Sequence, residues 1–322
     1  MAMAHPTFDT EDYQTDATPT TTGSLFRELR GTVHNGFPAI HTAPRRTAAG
    51  TLYLIAPGVV VLARPEVHLA GLQPFLEGFD PDLGFEAHPD DPTSLDPGAQ
   101  LVKAAGQTCY ASFGQKRTMN ADAAHYIKNL IDSGHTSVLE HATITALFYG
   151  ISRSLSHEWV RHRAGWAYSQ LSQRFVSGRV LRFVERPEYQ QDPELHALFE
   201  ARIDRAYREY HELAERLLVR QRAGAQILSA DARTDLRKKV QQTARSLLPN
   251  ETETILVATA NTRAWRWVLA QRGSAHAETE IRALAVRALL CLHQTDPLLF
   301  ADLRVVQLAD GTLGVHAEHP KP

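Results

Sequence analysis

The stretch RHRAGWAYSQLSQRF, residues 161–175, places arginines, a histidine, serines and glutamines close together along the chain. Leu155 and Trp159, four residues apart just before it, predict a helix that ends near Arg161 and Arg163 and is followed by a short loop before Ser172. Guanidinium groups and hydroxyls suit a phosphate or a pyrimidine edge, because Arg binds oxyanions with paired hydrogen bonds and Ser donates or accepts. The alternative is a solvated helix end, where cations favour the helix dipole. Composition alone leaves both interpretations open.

The segment HEWVRH, residues 157–162, resembles the helical zinc signature His-Glu-x-x-His, but its second histidine comes one residue late. On a helix this spacing turns His162 about 140° away from His157, so the two rings cannot bind one ion from the same face. The chain also lacks the Gly-x-Gly-x-x-Gly and Walker patterns of phosphate-binding loops. We therefore predict no metal site, and we expect side chains to hold any bound nucleotide.

Charge and cysteine content narrow the class of protein. The 322 residues carry 34 Lys and Arg against 36 Asp and Glu, a near balance that predicts no general attraction to nucleic acid or to an anionic membrane. Two cysteines do not make a disulfide framework and suit a reducing cytoplasm. No apolar run approaches the roughly 20 residues of a spanning helix, and the first residues lack a secretory pattern. We therefore predict a soluble, cytoplasmic protein.

Apolar periodicity predicts a mostly helical chain with a few strands. Residues 1–23 are Thr-rich and acidic and are expected to be disordered, and the Pro- and Asp-rich segment 79–98 is expected to lack regular structure. The other predicted elements are two strands around a turn at 51–63, strands at 141–151 and 251–260, and helices at about 119–132, 193–224, 229–249, 262–272 and 276–293.

Motifs on both sides of residues 161–175 occur in the order of one enzyme family. SGHTSVLEH (133–141) lies upstream, and ARSLLP, NTR and QRGSAHAETEIR lie downstream. Together with Ser-x-Arg-aromatic at 172–175, this order resembles the flavin-dependent thymidylate synthase family. The family signature is Arg-His-Arg, seven residues and Ser, whereas eight residues precede Ser172 here, so one residue is added around Gly165 and Trp166. The similarity covers roughly residues 109–293.

The resemblance implies an α+β fold, helix-rich with a small antiparallel sheet, and a homotetramer that binds FAD and dUMP where subunits meet. It also implies reductive methylation of dUMP to dTMP, in which NADPH reduces FAD and methylenetetrahydrofolate, a folate, supplies the methylene. No nucleic acid or membrane partner is expected. Residues 1–50 are then an N-terminal extension, partly disordered, and 51–322 form the catalytic domain with an inserted loop at about 66–98.

Carried over residue by residue, the resemblance implies two sets of contacts. The flavin or folate contacts are Ser112, His135, Ser137, Glu140, Arg161, His162, Arg163, Asn261, Arg263 and His276. The nucleotide contacts are Glu158, Gln170, Ser172, Arg174, Arg245 and Arg272. Arg272, Ser172 and His135 are predicted to be catalytic, although His135 alternatively closes a helix, as His often does in a last turn.

The chemistry of the nucleotide set agrees with these roles. C5 of uracil is a poor nucleophile that improves as negative charge grows on the ring carbonyl oxygens, and Arg272 would stabilise that charge. Arg174 and Arg245 would hold the monophosphate, with Ser172 assisting. Cys109 is an alternative nucleophile, but nothing nearby in the sequence marks it as activated.

The chain departs from the family pattern at two places. Relatives usually carry Gln before Arg-His-Arg and Glu after it, whereas this chain has Glu158 and Gln170, and Trp267 stands where an Asn is usual beside the flavin. The exchange either keeps one carboxylate near the nucleotide or changes which base or sugar is accepted. Two alternatives therefore stay open. One is a related flavin enzyme that installs a methyl or hydroxymethyl group on UMP or another uracil nucleotide, and the other is a non-catalytic nucleotide-binding homologue.

Overall fold

The computed structural model of the chain describes residues 22–90, 94–114, 123–175, 178–222 and 230–321. The segment predicted to be disordered, 1–23, lies outside the described residues except for its last two positions.

The described ranges contain both helices and strands. The helices are α1 Thr22–Glu28, α2 Gln73–Leu76, α3 Pro97–Cys109, α4 Ala123–Asp132, α5 Arg153–Trp159, α6 Pro187–Gln190, α7 Pro193–Arg222, α8 Ala230–Ala244, α9 Thr262–Arg272 and α10 Thr279–Thr295. The strands are β1 Gly31–His34, β2 Phe37–Ile40, β3 Arg45–Arg46, β4 Leu52–Leu54, β5 Gly58–Ala63, β6 Thr143–Ser152, β7 Trp166–Gln170, β8 Phe183–Val184, β9 Glu253–Asn261, β10 Leu303–Gln307 and β11 Leu313–Ala317.

A six-stranded antiparallel sheet in the order β1-β2-β5-β6-β9-β7 forms the centre of the fold. Its middle strand β6 alternates in burial, with Ile144, Ala146 and Phe148 buried on one face. This is the period-two pattern of a half-buried strand, and it confirms the strand predicted at 141–151.

Helices α9 and α10 cover the apolar face of this sheet. Trp265 of α9 is fully buried and donates its indole N–H to the Ile144 carbonyl at 3.1 Å. Its ring meets those of Phe148 and Trp159 edge to face, at centroid distances of 6.0 and 6.4 Å. Leu284 of α10 is also fully buried, so the predicted helices at 262–272 and 276–293 are confirmed as core elements.

The mixture of helices with antiparallel sheets confirms the predicted α+β class. The strand assignments within 51–63 are also confirmed, but β4 and β5 do not pair with each other. β5 joins the six-stranded sheet, whereas β4 joins a three-stranded sheet in the order β3-β4-β8 and pairs in parallel with β8. Strand pairing depends on contacts between distant residues, which periodicity alone does not specify.

The prediction of a short loop between Arg163 and Ser172 is wrong. Strand β7 occupies most of that interval and pairs with β9 at the sheet edge, with Trp166 opposite Ala260. Trp166, Tyr168 and Gln170 share one face of the strand, because alternate residues of a strand point the same way.

The segment 79–98 also differs from the expected irregular loop. Short 3₁₀ turns cover Pro81–Leu83 and Phe85–Asp90, and Phe85 packs edge to face on Phe79 and Phe113 at 5.4 and 5.6 Å. Edge-to-face contacts between aromatic rings thus accompany the short turns of a segment whose prolines break longer helices.

The boundary at residue 50 remains a prediction, and the six-stranded sheet includes strands from both sides of it, since β2 pairs with β5. None of the described helices is long and apolar enough to cross a membrane.

Candidate functional site

Helix α5 begins where the central strand β6 ends. Ser152 closes the strand and caps the helix, with its Oγ accepting a hydrogen bond from the Leu155 N–H at 3.0 Å. Leu155 and Trp159 are buried against the sheet and hold the short helix in place, while Glu158 between them stays partly exposed. The residues that follow Trp159 therefore leave the helix next to Glu158.

Arg272 joins this end of α5 to the end of α9. Its Nη1 lies 2.9 Å from the Glu158 carboxylate, and its Nε donates to His162 Nε2 at 2.9 Å. Burial and the positive charge of Arg272 lower the pKa of His162 to about 4, so the ring is neutral near pH 7 and Nε2 accepts. The structure thus brings together Glu158 and Arg272 from the predicted nucleotide set and His162 from the predicted flavin set.

Strand β7 extends the site from this centre. Tyr168 donates its hydroxyl to the His162 carbonyl at 2.8 Å, and burial raises the pKa of Tyr168 well above its usual value. The hydroxyl therefore stays protonated and secures the turn that carries His162. Tyr168 was not among the predicted site residues. It lies close to Gly165 and Trp166, where the sequence has one residue more than the family signature, and that departure could have drawn attention to it.

Gly165 lies where the sequence has one residue more than the family signature. It allows the turn that carries Arg-His-Arg to approach the start of α9. Its φ of +74° is a left-handed conformation that favours glycine, and a Cβ there would lie 2.8 Å from Asn261 Nδ2. Asn261 in turn caps α9, with Oδ1 accepting from the Ala264 N–H at 2.8 Å. The backbone thus places the predicted cofactor residue Asn261 against the Arg-His-Arg turn.

The predicted Gly-His block lies beside the same end of α9. Arg263 in the first turn of α9 donates to Glu140 at 2.6 Å; Glu140 is exposed and Arg263 is partly exposed. Thr262 donates its N–H to the Ala142 carbonyl at 2.8 Å, which fixes the block to the helix start. Glu140, Arg263 and Asn261 are therefore neighbours, as a shared cofactor site requires.

The remaining predicted cofactor residues lie at the surface around this region. His135, Ser137, Arg161, Arg163 and His276 are exposed, and Ser112 is partly exposed, with its Oγ 3.4 Å from the Tyr110 carbonyl. Neither Arg161 nor Arg163 forms an ion pair with any residue that the structure describes. Exposed guanidinium groups without a carboxylate neighbour suit the phosphates of a dinucleotide.

The other end of β7 holds the predicted nucleotide residues. Gln170 donates to Ser156 Oγ at 2.8 Å, which joins the end of β7 to α5. The Arg174 N–H lies 3.4 Å from Ser172 Oγ, and Arg174 Nε is buried without a hydrogen-bond acceptor in the described structure. A buried guanidinium N–H without an acceptor is a donor available to an anionic ligand.

Two further cations, Lys238 and Arg153, were not predicted as site residues from the sequence. Lys238 of α8 lies 4.8 Å from the centroid of the Phe175 ring, which Arg174 also approaches at 5.5 Å. Burial, and to a lesser extent the positive charge of Arg245, lower the pKa of Arg153 on α5. The sequence gives little indication of a role for Arg153 and Lys238, because neither residue belongs to one of the family motifs.

The described residues contain no group of three or more His, Cys, Asp or Glu side chains placed to hold a metal ion. The donors of the site are instead guanidinium groups, hydroxyls and amides. This chemistry suits oxyanions and heterocycle edges.

Comparison with known proteins gives one consistent result. Residues 93–298 match the family model described as “Thymidylate synthase complementing protein”. Proteins named flavin-dependent thymidylate synthase from Mycolicibacterium gilvum (strain PYR-GCK) and Mycobacterium avium (strain 104) are each 44% identical over 230 residues, which is 71% of this chain and 89% of the relative. The protein of that name from Mycobacterium leprae (strain TN) is 42% identical over 220 residues, 68% of this chain and 85% of the relative. Every predicted site residue lies inside the matched segment.

Proposed function

The chain belongs to the flavin-dependent thymidylate synthase family, and from that premise we propose that it converts dUMP to dTMP by reductive methylation. FAD is the cofactor, and NADPH and methylenetetrahydrofolate are the co-substrates. Bound FAD supplies the hydride chemistry, so the protein has to bind, orient and polarise the reactants. The observation that carries the proposal for the site is the convergence of Glu158, His162 and Arg272.

The nucleotide end of the proposed site matches a monophosphate. Arg174 offers a buried guanidinium N–H without an acceptor, and the positive charge of Arg245 contributes to the lowered pKa of Arg153. Two neighbouring cations repel each other unless an anion lies between them. A phosphate dianion would relieve this repulsion and accept hydrogen bonds from the guanidinium groups.

Arg272 is proposed to polarise the uracil ring. Glu158 and neutral His162 hold its guanidinium at 2.9 Å each, so the group is oriented before a substrate binds. A preorganised cation stabilises the negative charge that develops on a uracil carbonyl oxygen, which makes C5 a better nucleophile. Ser172 is proposed to assist at the phosphate, and His135 is proposed to lie near the flavin.

The cofactor end is proposed to comprise the predicted flavin and folate residues. These are Ser112, His135, Ser137, Glu140, Arg161, His162, Arg163, Asn261, Arg263 and His276. Their donor chemistry fits FAD, because exposed guanidinium groups suit the diphosphate and amide or hydroxyl groups suit the ring edges.

We further propose that the enzyme is a homotetramer with active sites between subunits, and that it works in the cytoplasm. Exposed polar residues such as His135 and Arg161 support the assembly, because their side chains are open to contacts from a neighbouring subunit. Light scattering of the FAD-bound protein should report four subunits. A stable monomer that retains FAD would contradict the assembly.

The experiment that tests the function is the complete reaction with purified protein. With FAD, NADPH and methylenetetrahydrofolate, dUMP should yield dTMP, detected by chromatography. A colourless protein that fails to bind added FAD would instead favour a non-catalytic homologue.

UMP is the second substrate to test, because Glu158 pairs with the polarising Arg272 where relatives usually carry Gln. NADPH oxidation with folate and either dUMP or UMP decides between the two. A preference for UMP would overturn the substrate assignment.

A further inference from the structure

The C-terminal hairpin of β10 and β11 contacts the residue that follows Arg272. The hairpin lies beyond residues 93–298, the segment that matches the family model. The Val315 N–H of β11 donates to the Gly273 carbonyl at 2.8 Å, and Val315 is 3% exposed. One main-chain hydrogen bond therefore joins the hairpin to the end of α9.

Two glycines permit this close approach. A Cβ on Gly273 would lie 2.4 Å from Val315 Cβ, and a Cβ on Gly314 would lie 2.8 Å from the Gly273 carbonyl oxygen. Gly273 has a φ of −89°, which any residue can adopt, so the demand for glycine comes from space and not from backbone conformation. The two backbones touch because neither glycine carries a side chain.

A second contact joins the hairpin to the same turn a few residues later. Arg282 of α10, which is 3% exposed, donates to the Ala275 carbonyl at 3.4 Å and to the Asp310 carboxylate at 2.9 Å. Asp310 belongs to the hairpin turn, where its carboxylate also accepts from the Thr312 N–H. The segment after Arg272 is thus held at Gly273 and at Ala275.

We propose that the C-terminal hairpin is a positioning element for Arg272. The Arg272 side chain is long and flexible, so its guanidinium meets Glu158 and His162 only while the last turn of α9 keeps its orientation. The hairpin supplies that orientation through the Gly273 carbonyl. The effect on turnover rests on the proposed function, whereas the effect on His162 does not.

The test compares Val315→Pro with Ala317→Pro. Proline at 315 removes the N–H that donates to Gly273. Ala317 is two residues later, so its N–H points to the same side of the strand, and it has no acceptor in another described element. Both variants place a proline in β11 at a position whose N–H points away from β10, and only Val315→Pro removes the contact with Gly273.

Two measurements read out the position of Arg272. The first is the pKa of His162, measured by an NMR titration. The His162 signal is assigned as the one that disappears in His162→Gln. Arg272→Ala serves as the reference in which the contact between Arg272 and His162 is completely lost. Val315→Pro should raise this pKa above about 4, by no more than Arg272→Ala raises it, because the positive charge of Arg272 moves away while burial of the ring still lowers the pKa. The second is KM for dUMP, which should rise roughly fivefold or more, equivalent to about 1 kcal/mol of binding, while FAD content stays unchanged.

Several outcomes overturn the proposal. One is a folded Val315→Pro protein in which the His162 pKa is unmoved, and another is an equal effect of Ala317→Pro. If Val315→Pro does not fold, Asp310→Asn takes its place, since it removes only the charge of the second contact and should shift both readouts in the same direction. If wild-type protein does not turn over dUMP, the proposed function fails, and the His162 titration still decides on the hairpin.

Discussion

Arg174 and Arg161 belong to one motif, and we propose that they bind different ligands. Arg174 keeps a buried N–H without an acceptor beside the nucleotide residues, whereas Arg161 is exposed near the predicted cofactor end. We expect Arg174→Ala to weaken dUMP binding about tenfold or more while FAD stays bound, because a charge-assisted hydrogen bond contributes about 1.5–3 kcal/mol. Arg161→Ala should instead reduce FAD retention. Isothermal titration with dUMP and the absorbance of bound flavin measure the two effects.

The exposed Arg208→Ala on α7 is the control for loss of a positive charge and should change neither ligand. Equal loss of both ligands in Arg174→Ala would show that the two ends of the site are assigned wrongly.

His162 links the site to pH. Its pKa is lowered from 6.5 to about 4 by burial and by Arg272, so the unfolded chain takes up a proton before the folded protein does. This contribution to stability is therefore present above pH 6.5 and is lost as pH falls towards 4. His162→Gln keeps an acceptor for Arg272 but cannot take up the proton. We therefore expect the unfolding free energy of this variant to fall less than that of wild type as the pH drops from 6.5 to 4. The difference should stay below about 1.4 kcal/mol per pH unit, since solvent reaches the half-buried ring.

Denaturant unfolding of wild type and His162→Gln between pH 4 and 7 provides the measurement. The exposed His157→Gln in α5, just before His162 in the sequence, is a matched control. Parallel curves for His162→Gln and wild type would disprove the lowered pKa.

At the scale of elements, two buried carboxylates hold the start of two helices. Glu280 of α10 accepts hydrogen bonds from the N–H and Oγ of Ser152 at 2.8 Å each, and Ser152 caps α5. Asp296 accepts from the Ala99 N–H in the first turn of α3 at 2.7 Å. Burial raises the pKa of each to about 7, because desolvation disfavours the charged form.

These raised pKa values predict a loss of stability with rising pH. The folded protein binds the proton more tightly than the unfolded chain, so the contribution is fully present below about pH 4 and is lost as pH rises through 7. Glu280→Gln and Asp296→Asn cannot ionise. We expect the unfolding free energy of each variant, relative to that of wild type, to increase by up to about 1.4 kcal/mol per pH unit as the pH rises from 5 to 7.

Chemical denaturation at several pH values measures these slopes. The exposed Glu194→Gln near the start of α7 should follow wild type throughout. A Glu280→Gln slope that matches that of Glu194→Gln would rule out a raised pKa at Glu280.

At the scale of the whole molecule, the described chain has a large core around the six-stranded sheet and a smaller one under α7. Tyr53, Phe183, Phe199 and Ile203 are buried in the smaller core, and Phe199 meets Tyr53 edge to face at 5.4 Å. The two cores have no buried residue in common. We therefore expect the small core to open locally while the large core stays folded.

Phe199→Ala tests this division. The substitution should destabilise α7 and the three-stranded sheet by about 3–5 kcal/mol, because it leaves a cavity where a buried ring was. Hydrogen exchange should accelerate in α7 and β4 and stay slow in β6 and β9. The neighbouring Leu198, 61% exposed, is the control, and Leu198→Ala should leave exchange unchanged. Faster exchange in β6 after Phe199→Ala would show that the two cores are one cooperative unit.

The sequence by itself determined the family, the α+β class and most helices and strands of the matched segment. Helical periodicity marks α7 and α10, and alternation marks β6, because local burial on one face repeats with the period of the element. The motif order identified the candidate residues before any distance was known.

Only the tertiary structure decided which of these residues meet. The contacts of Arg272 with Glu158 and His162, more than a hundred residues away, arise because α9 and α5 pack on neighbouring strands of one sheet. The pairing of β4 with β8 and the contact of the hairpin with Gly273 are equally nonlocal. Such contacts depend on shape complementarity between distant segments, and no local periodicity or spacing encodes that complementarity.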